Sequence, residues 1–404
     1  MLVPQKYKFI VQLGKALHQY GVPSYKSEMY LNEIAGKKGI KASFMDSPTW
    51  INYVFYEEDE QTYSHVESVK PGEINLGALS KIVEVTNNVI SNKMGFEQAK
   101  TAIDEIKTAP PIYNTWLELL SFMLSAGAFS IILDTSWTSA IAASFVGGIV
   151  YLITLWAQKS VYIRSTLESL VAFVATIVTV LLFLKFGQIN ISMTILASII
   201  IFIPGLSITT ALEEITARNL VSGTAKLFDA LVSLFKQFFG VVLGLAILPQ
   251  FVEIHQQPVI NDIPQWVDYF AIILLALSLM PAFKIRPKDL FLCVVVGFLS
   301  FFSTTLFAFS GILVSIFTGT IVTVSVSKLF SRLTNSPRLV YLIPGIIMLV
   351  PGSKAFIGLS SVFLSETTAG VNMGEQVLYI FMGIIGGLLF SGTFMDKKLR
   401  EHNS

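Results

Sequence analysis

Past residue 112 the chain spreads 30 acidic and basic residues over 292 positions, while residues 1–112 alone hold 12 Lys and 13 Asp or Glu. A soluble chain carries roughly a quarter charged residues throughout. Here the share is 14% overall, with 53% hydrophobic residues and a mean hydropathy of +0.66. The first stretch reads as an ordinary soluble domain, and the remainder is too apolar to stay in water. That division excludes secreted disulfide scaffolds, disordered tails and soluble two-domain enzymes. The single cysteine, Cys293, lies inside an apolar run, which excludes a disulfide framework and a cysteine-based zinc site. A net charge of +1 with dispersed basic residues gives no nucleic-acid footprint. The start, Met1-Leu-Val-Pro-Gln-Lys-Tyr-Lys8, lacks the apolar core and cleavage site of a signal peptide, so residues 1–112 are expected in the cytosol.

A membrane-crossing helix needs about 20 predominantly apolar residues. Ten stretches qualify, at roughly 115–133, 137–157, 167–185, 189–210, 228–249, 266–283, 289–309, 311–330, 338–353 and 375–394. With the N-terminal domain inside, the inner connections collect 13 Lys and Arg, from Lys159 and Arg164 to Arg400, and the outer ones only Lys185 and Lys354. That asymmetry is the positive-inside pattern. It predicts ten spans with both termini cytosolic, in the cell (inner) membrane.

The spans repeat. At an offset of 147 residues, Pro204 pairs with Pro351, Gly205 with Gly352, Leu212 with Leu359, Gly223 with Gly370 and Gly240 with Gly387. The membrane half therefore reads as five spans plus five. A duplicated unit with an odd number of spans lies in opposite orientations, the inverted repeat of many secondary transporters, whose site sits near the midplane. The expected fold is an all-α polytopic membrane protein of ten transmembrane helices in a 5+5 inverted repeat, with a small N-terminal α+β cytosolic domain. The domain boundaries are 1–112, 113–250 and 251–404, the last including a short cytosolic tail.

Proline within a span removes a backbone donor and glycine lets the chain turn. Pro204-Gly205, Pro344-Gly345 and Pro351-Gly352 are therefore candidate helix breaks. Irregular backbone at that depth is tolerated where protein or a water-filled cavity covers it, and a helix restarting there aims free N–H groups at an anion such as a carboxylate. Hydroxyls follow each break: Ser207, Thr209 and Thr210 after the first, Ser353 after the last. The expected substrate-binding set is Pro204, Gly205, Ser207, Thr210, Pro351, Gly352, Ser353 and Lys354. The glycines are expected where a Cβ would crowd the turn. Charges in apolar surroundings mark pathways or pairs. Glu118 and Glu168 start inside-facing helices. Glu213, Glu214, Arg218, Lys226 and Asp229 form an amphipathic stretch, read either as a solvated helix face or as a gate. Glu213, Glu214, Asp229 and Lys236 are the coupling or gating candidates, with Lys236 and Lys354 also able to snorkel. The pairs Gly240/Gly244, Gly383/Gly387 and Ser144/Gly148 offer small-residue faces for close helix packing. No cofactor and no metal site is expected.

In the soluble domain, helices are predicted at 6–19, 24–37, 76–91 and 96–107, and strands near 40–45, 49–56 and 62–69. His18, His65, Ser24, Asp46 and Glu28 could form a hydrolytic set. The stretch nevertheless has no nucleophile elbow, paired metal-ligand spacing or phosphate loop.

His18-Gln-Tyr-Gly-Val-Pro-Ser-Tyr-Lys-Ser-Glu28 resembles the N-terminal signature of the threonine/serine exporter family. So do Leu220-Val-Ser-Gly223 and Ile343-Pro-Gly-Ile-Ile-Met-Leu-Val-Pro-Gly-Ser353. The resemblance runs over nearly the whole chain. It implies a cytosolic domain followed by ten spans, and export of threonine and serine driven by the proton motive force; a related two-chain form exports dicarboxylates. Where the family commonly has Arg-Asp, this chain has Glu213-Glu214, and Arg218-Asn219 replaces its Gly-Asp, while Lys226 and Asp229 keep the family's charges. The expected partners are a small carboxylate-bearing solute (threonine, serine or a dicarboxylate), protons and the lipid bilayer, with self-association left open. A membrane-anchored cytosolic hydrolase or sensor is the reading from another class.

Overall fold

The computed structural model describes residues 3–57, 61–70, 75–247, 262–349 and 367–393. The N-terminal part holds α1 (Gln5–Gln19), α2 (Ser24–Lys37), β1 (Lys41–Ser47), β2 (Trp50–Tyr56), β3 (Thr62–Ser68), α3 (Leu76–Ile90) and α4 (Phe96–Thr108). These elements fall within one or two residues of their sequence expectation. The strands form an antiparallel sheet in the order β1-β2-β3, with Tyr53 opposite Phe44 and His65. Alternation along β2 sends Ile51, Tyr53 and Phe55 inward, all nearly inaccessible to solvent. Tyr7 of α1 stacks on Phe55 with ring centroids 3.9 Å apart. A Cβ at Gly14 would run into the Tyr53 hydroxyl, so glycine is what lets α1 lie this close to the sheet.

The remainder is helical: α5 (Thr115–Ile132), α6 (Trp137–Ala157), α7 (Val161–Phe186), α8 (Ile191–Ser198), α9 (Gly205–Thr216), α10 (Leu220–Ile247), α11 (Trp266–Ala282), α12 (Leu290–Leu306), α13 (Ile312–Thr334), α14 (Arg338–Ile347) and α15 (Thr367–Thr393). Among the described residues, six helical segments are long and apolar enough to cross a membrane: Thr115–Ile132, Trp137–Ala157, Tyr162–Phe186, Leu220–Ile247, Pro287–Leu306 and Ile312–Thr334. A seventh span results if Ile191–Ser198 and Ile200–Thr216, bent by 58°, cross as one. Trp266–Ala282, Arg338–Ile347 and Leu378–Ser391 are apolar but shorter. These three lie where the sixth, ninth and tenth spans are expected, and the ninth would continue into residues 350–353, outside the described residues.

Corresponding helices of the two halves pack alike. In the first, α5 lies on α6, α6 on α7 and α8, and α7 on α10; in the second, α11 lies on α12, α12 on α13 and α14, and α13 on α15. The halves meet where α5 packs on α11. Small residues set these crossings. A Cβ on Gly240 would collide with the Ser169 carbonyl oxygen and stand 3.0 Å from Phe173 N; one on Gly387 would stand 2.5 Å from Thr320 Cβ and 3.1 Å from the Phe317 carbonyl oxygen. Phe173 and Thr320 are themselves 147 residues apart, so the offset relates the contacts as well as the glycines. Gly244 meets Thr176, Gly383 meets Ile316, Gly148 meets Met123 and Ser144 meets Gly127. The three small-residue faces are thus helix contacts, between α10 and α7, α15 and α13, and α6 and α5.

Polar bonds fasten the α11–α12 turn to the start of α3 and to the segment ahead of α5. The Leu76 and Gly77 N–H groups donate to the Phe283 and Lys284 carbonyls at 3.0 and 2.9 Å, and Tyr113 Oη donates to the Ile285 carbonyl at 2.6 Å. Behind that loop, buried Asp289 accepts from Arg286 Nε (2.8 Å), Ser336 Oγ (2.9 Å) and Tyr341 Oη (2.7 Å), a hub that holds the α11–α12 turn against α14.

Candidate functional site

The fourth helix of the first half is interrupted at Pro204, as the proline demands. After α8 the chain makes a single 3-10 turn, Ile200–Phe202, and the Gly205 N–H reaches back to the Ile203 carbonyl at 2.7 Å. Helix α9 then starts, with the Ile208 N–H bonded to the Pro204 carbonyl at 3.0 Å. Buried carbonyls at such a break need donors. Gln237 of α10, fully buried, supplies one from Nε2 to the Phe202 carbonyl at 2.8 Å. Gln237 escaped the sequence reading because only ionisable residues were weighed in the spans; a glutamine within an apolar helix was the available signal. At Gly205 the expectation of crowding fails. Among the described residues a Cβ there would meet nothing within 4 Å, and the backbone is not left-handed.

A cavity of about 520 Å³ lies against this break. Pro204, Gly205 and Ser207 form one wall, at the amino end of α9, and Asp229 and Ser233 of α10 lie beside them. Glu118, Glu168, Arg164 and Lys284 add charge, and Phe122, Ile203, Leu279 and Ile347 add apolar surface. Tyr151 Oη donates to Glu118 Oε2 at 2.9 Å, and Ser233 Oγ to Glu168 Oε1 at 2.6 Å. The volume lies within the range of about 300–1,000 Å³ usual for small-molecule sites. Lys284 lines the cavity and its carbonyl accepts the Gly77 N–H, so this cavity adjoins the N-terminal domain.

Of the residues singled out in the sequence, Pro204, Gly205, Ser207 and Asp229 come together in this cavity. Thr210 does not line it: its hydroxyl turns back to the Leu206 and Ser207 carbonyls at 3.1 Å each. Lys236 is half-exposed and pairs with Glu168 at 3.3 Å, behind the lining. Pro351, Gly352, Ser353 and Lys354 lie outside the described residues. Pro344-Gly345 does not break its helix; α14 runs through it. The carbonyl that Pro344 leaves without its helical donor, Val340, accepts from Cys293 Sγ at 3.4 Å, and the Gly345 carbonyl accepts from Ser300 Oγ at 2.7 Å.

Glu213 and Glu214, at the other end of α9, are 4% and 0% exposed, so they are not a solvated face. The N-terminal domain covers them. Glu214 Oε1 accepts from the Ser24 N–H at 2.8 Å and from Lys226 Nζ at 2.5 Å, while Ser24 Oγ meets Ser222 Oγ at 2.8 Å. Glu213 Oε1 accepts from Tyr25 Oη at 2.8 Å, pairs with Arg338 of α14, and stands 3.9 Å from Lys26 Nζ. Among the described residues the second oxygen of each glutamate, buried, has no hydrogen-bond partner. Burial, together with the Glu213 charge, holds the Tyr25 phenol well above its usual range. The Ser-Tyr-Lys of the N-terminal motif and the Val-Ser-Gly of the later one thus meet at one junction.

Within the N-terminal domain, His18 Nδ1 and Asp46 Oδ1 are 2.8 Å apart, and the Asp46 N–H donates to Glu28 Oε1 at 2.9 Å. Burial, with the Asp46 and Glu214 charges adding to it, raises the Glu28 carboxyl. Ser24 faces the junction, and His65 pairs with Glu67 at 3.2 Å. Among the described residues no group of three or more His, Cys, Asp or Glu side chains could hold a metal ion.

Comparison with known proteins gives one consistent match. Residues 8–248 fit the family described as "Putative threonine/serine exporter", and residues 268–394 fit a second family described as "Threonine/Serine exporter, ThrE". A Schizosaccharomyces pombe protein named only as uncharacterized is 27% identical over 254 residues, 60% of this chain and 33% of that protein. The pheromone-regulated membrane protein 10 of Kluyveromyces lactis is 28% identical over 251 residues, 60% of this chain and 26% of that one. Its namesake in Eremothecium gossypii is 23% identical over 385 residues, 91% of this chain and 50% of that protein. The chain therefore spans between about a quarter and a half of the length of these relatives. No solved structure matches it.

Proposed function

The chain belongs to the threonine/serine exporter family, and from that premise we propose that it exports small amino acids of the threonine and serine kind, with the cavity at the Pro204-Gly205 break as the substrate site. The observation that carries this is the composition of the cavity wall. The amino end of α9 offers N–H groups and the Ser207 hydroxyl, which suit a carboxylate, while Asp229, Glu168 and Glu118 suit an ammonium group. A zwitterion needs both kinds of partner. A dicarboxylate needs two cationic or N–H sites; Arg164, Lys284 and the amino end of α9 supply these too, and the three carboxylates standing beside them are what favours the zwitterion. Glu213 and Glu214, coupling or gating candidates in the sequence, do not line the cavity and are engaged at the domain junction.

The same break supports export by alternating access, since the chain between α8 and α9 is not continuous helix. Matching helix packing in the two halves and the shared 147-residue offset at Gly240 and Gly387 support a 5+5 inverted repeat of ten spans. The count of 13 inner against 2 outer positive residues supports termini on the cytosolic side of the cell membrane. In that orientation the described cavity adjoins the cytosolic side, where an exporter collects its cargo. Proton coupling would use the carboxylates of the cavity or the Glu213–Glu214 pair. The test is purified protein in liposomes with an imposed pH gradient, offered labelled serine, threonine and succinate. Gradient-dependent movement of serine and threonine is expected. Movement of succinate alone, or none that responds to the gradient, overturns the reading.

A further inference from the structure

The N-terminal domain grips both walls of the cavity. Through Ser24 and Tyr25 it binds Glu214 and Glu213 at the carboxyl end of α9, whose amino end is the Gly205–Ser207 wall. Through Leu76 and Gly77 it binds the carbonyls of Phe283 and Lys284, residues of the wall supplied by the second half. Helix α9 has 12 residues, so it is a rod about 18 Å long, and displacement at one end is felt at the other. At its amino end the Pro204 break uncouples it from α8. Helix α9 also packs on α10, α14 and α15, and what the N-terminal domain adds is a directional polar grip at its carboxyl end.

We propose that the N-terminal domain is a bracket across the cavity mouth, with Ser24, Tyr25, Glu213 and Glu214 as positioning residues that set how far α9 stands from the α11–α12 turn. The proposal rests on the cavity being the substrate site only for its effect on transport; its effect on geometry is independent of that. The contacts at α9 are polar and directional, and each glutamate keeps one buried oxygen without a partner among the described residues. Such directional polar contacts specify one geometry at the junction.

Two measurements separate the bracket from the substrate site. The first uses no substrate: Ser207→Cys is labelled with an impermeant maleimide in otherwise unchanged protein and in the Ser24→Ala/Tyr25→Phe variant. Loss of the grip lets α9 lean toward the α11–α12 turn, so labelling slows at least threefold; an unchanged or faster rate overturns the bracket. The second joins Ser24→Cys to Ser222→Cys by oxidation, the native hydroxyl oxygens being 2.8 Å apart. With the bracket locked, labelled serine is still bound within twofold of the reduced protein, while its transport in liposomes falls at least tenfold and returns on reduction. Equal transport in both states, or loss of binding with transport, overturns it. If serine is neither bound nor moved by any form, the substrate reading falls, and the labelling rates alone decide the bracket.

Discussion

Gln237 donates from Nε2 to the carbonyl of Phe202 across 2.8 Å, tying the middle of α10 to the turn just ahead of Pro204. The bond ties α10 to the irregular turn at the depth of the break. Gln237→Leu keeps the approximate volume but leaves that carbonyl without its donor. An unpaired buried acceptor costs about 1–3 kcal/mol, so the variant should melt several degrees lower in detergent than the wild type. An unchanged melting temperature would show that water or another donor serves the break equally well.

Glycines that look alike in sequence should respond oppositely to a methyl group. A Cβ at Gly205 meets open space, whereas one at Gly240 or Gly387 meets backbone or side-chain atoms of the facing helix. Gly205→Ala should leave stability near wild type, its methyl entering the cavity and not a neighbouring helix. Gly240→Ala and Gly387→Ala should each cost about 1–3 kcal/mol, the scale of an overpacked contact. Thermal unfolding of the three variants tests the contrast; a Gly205→Ala protein that melts well below wild type while Gly240→Ala does not reverses it.

The elements were legible because periodicity and caps are local. Asn190, Ser136 and Asn114 each accept a backbone N–H at the start of their helix, as short polar residues do. The break at Pro204 was legible for the same reason. What sequence could not supply was the roof over Glu213 and Glu214, since Ser24 and Tyr25 reach them from about 190 residues away. An amphipathic stretch shows that one face is polar, and nothing in its pattern says whether water or another domain will cover that face. The same limit applied to Cys293 and Gln237: their partners are carbonyls, which every residue has.

Cys293 is buried between α12 and α14 and spends its thiol on the Val340 carbonyl. It should therefore not react with maleimide in the folded protein, and should react fully after denaturation. Mass spectrometry of labelled native protein checks this, and rapid modification would mean that the packing of α12 on α14 opens readily.

Glu28 gives the N-terminal domain a defined pH response. Burial raises its carboxyl above the ordinary 4.5, so between that value and the folded one the native state keeps a proton that the unfolded chain releases. Stability from this group is complete below about 4.5 and is lost as pH rises through the folded value. Glu28→Gln abolishes the titration while keeping an oxygen for the Asp46 N–H. Compared by thermal unfolding, the variant should match the wild type at pH 4 and exceed it at pH 7. A difference that stays constant with pH would show that the Glu28 carboxyl titrates alike in both states.

Ser207 and Asp229 face the same cavity from different helices, and the two ends of a zwitterion should feel them separately. Ser207→Ala removes one hydroxyl from the carboxylate end, a loss of about 1 kcal/mol, the scale of a single hydrogen bond, or roughly a fivefold rise in KM for serine. Asp229→Asn removes a charge that pairs with the ammonium group, and hydrogen bonds to charged groups are worth about 1.5–3 kcal/mol, so its effect should be larger. A ligand with no ammonium group discriminates between the two. Competition by a short hydroxy acid against labelled serine should weaken in Ser207→Ala, because that ligand still brings a carboxylate. In Asp229→Asn the same competitor should hold or gain relative to serine, since the aspartate repels an anion it cannot pair with. Lys236→Ala should leave KM nearly unchanged, because its ammonium lies outside the lining and half in solvent. Were Asp229→Asn to weaken the hydroxy acid as much as serine, Asp229 would be shaping the cavity and not binding the amino group.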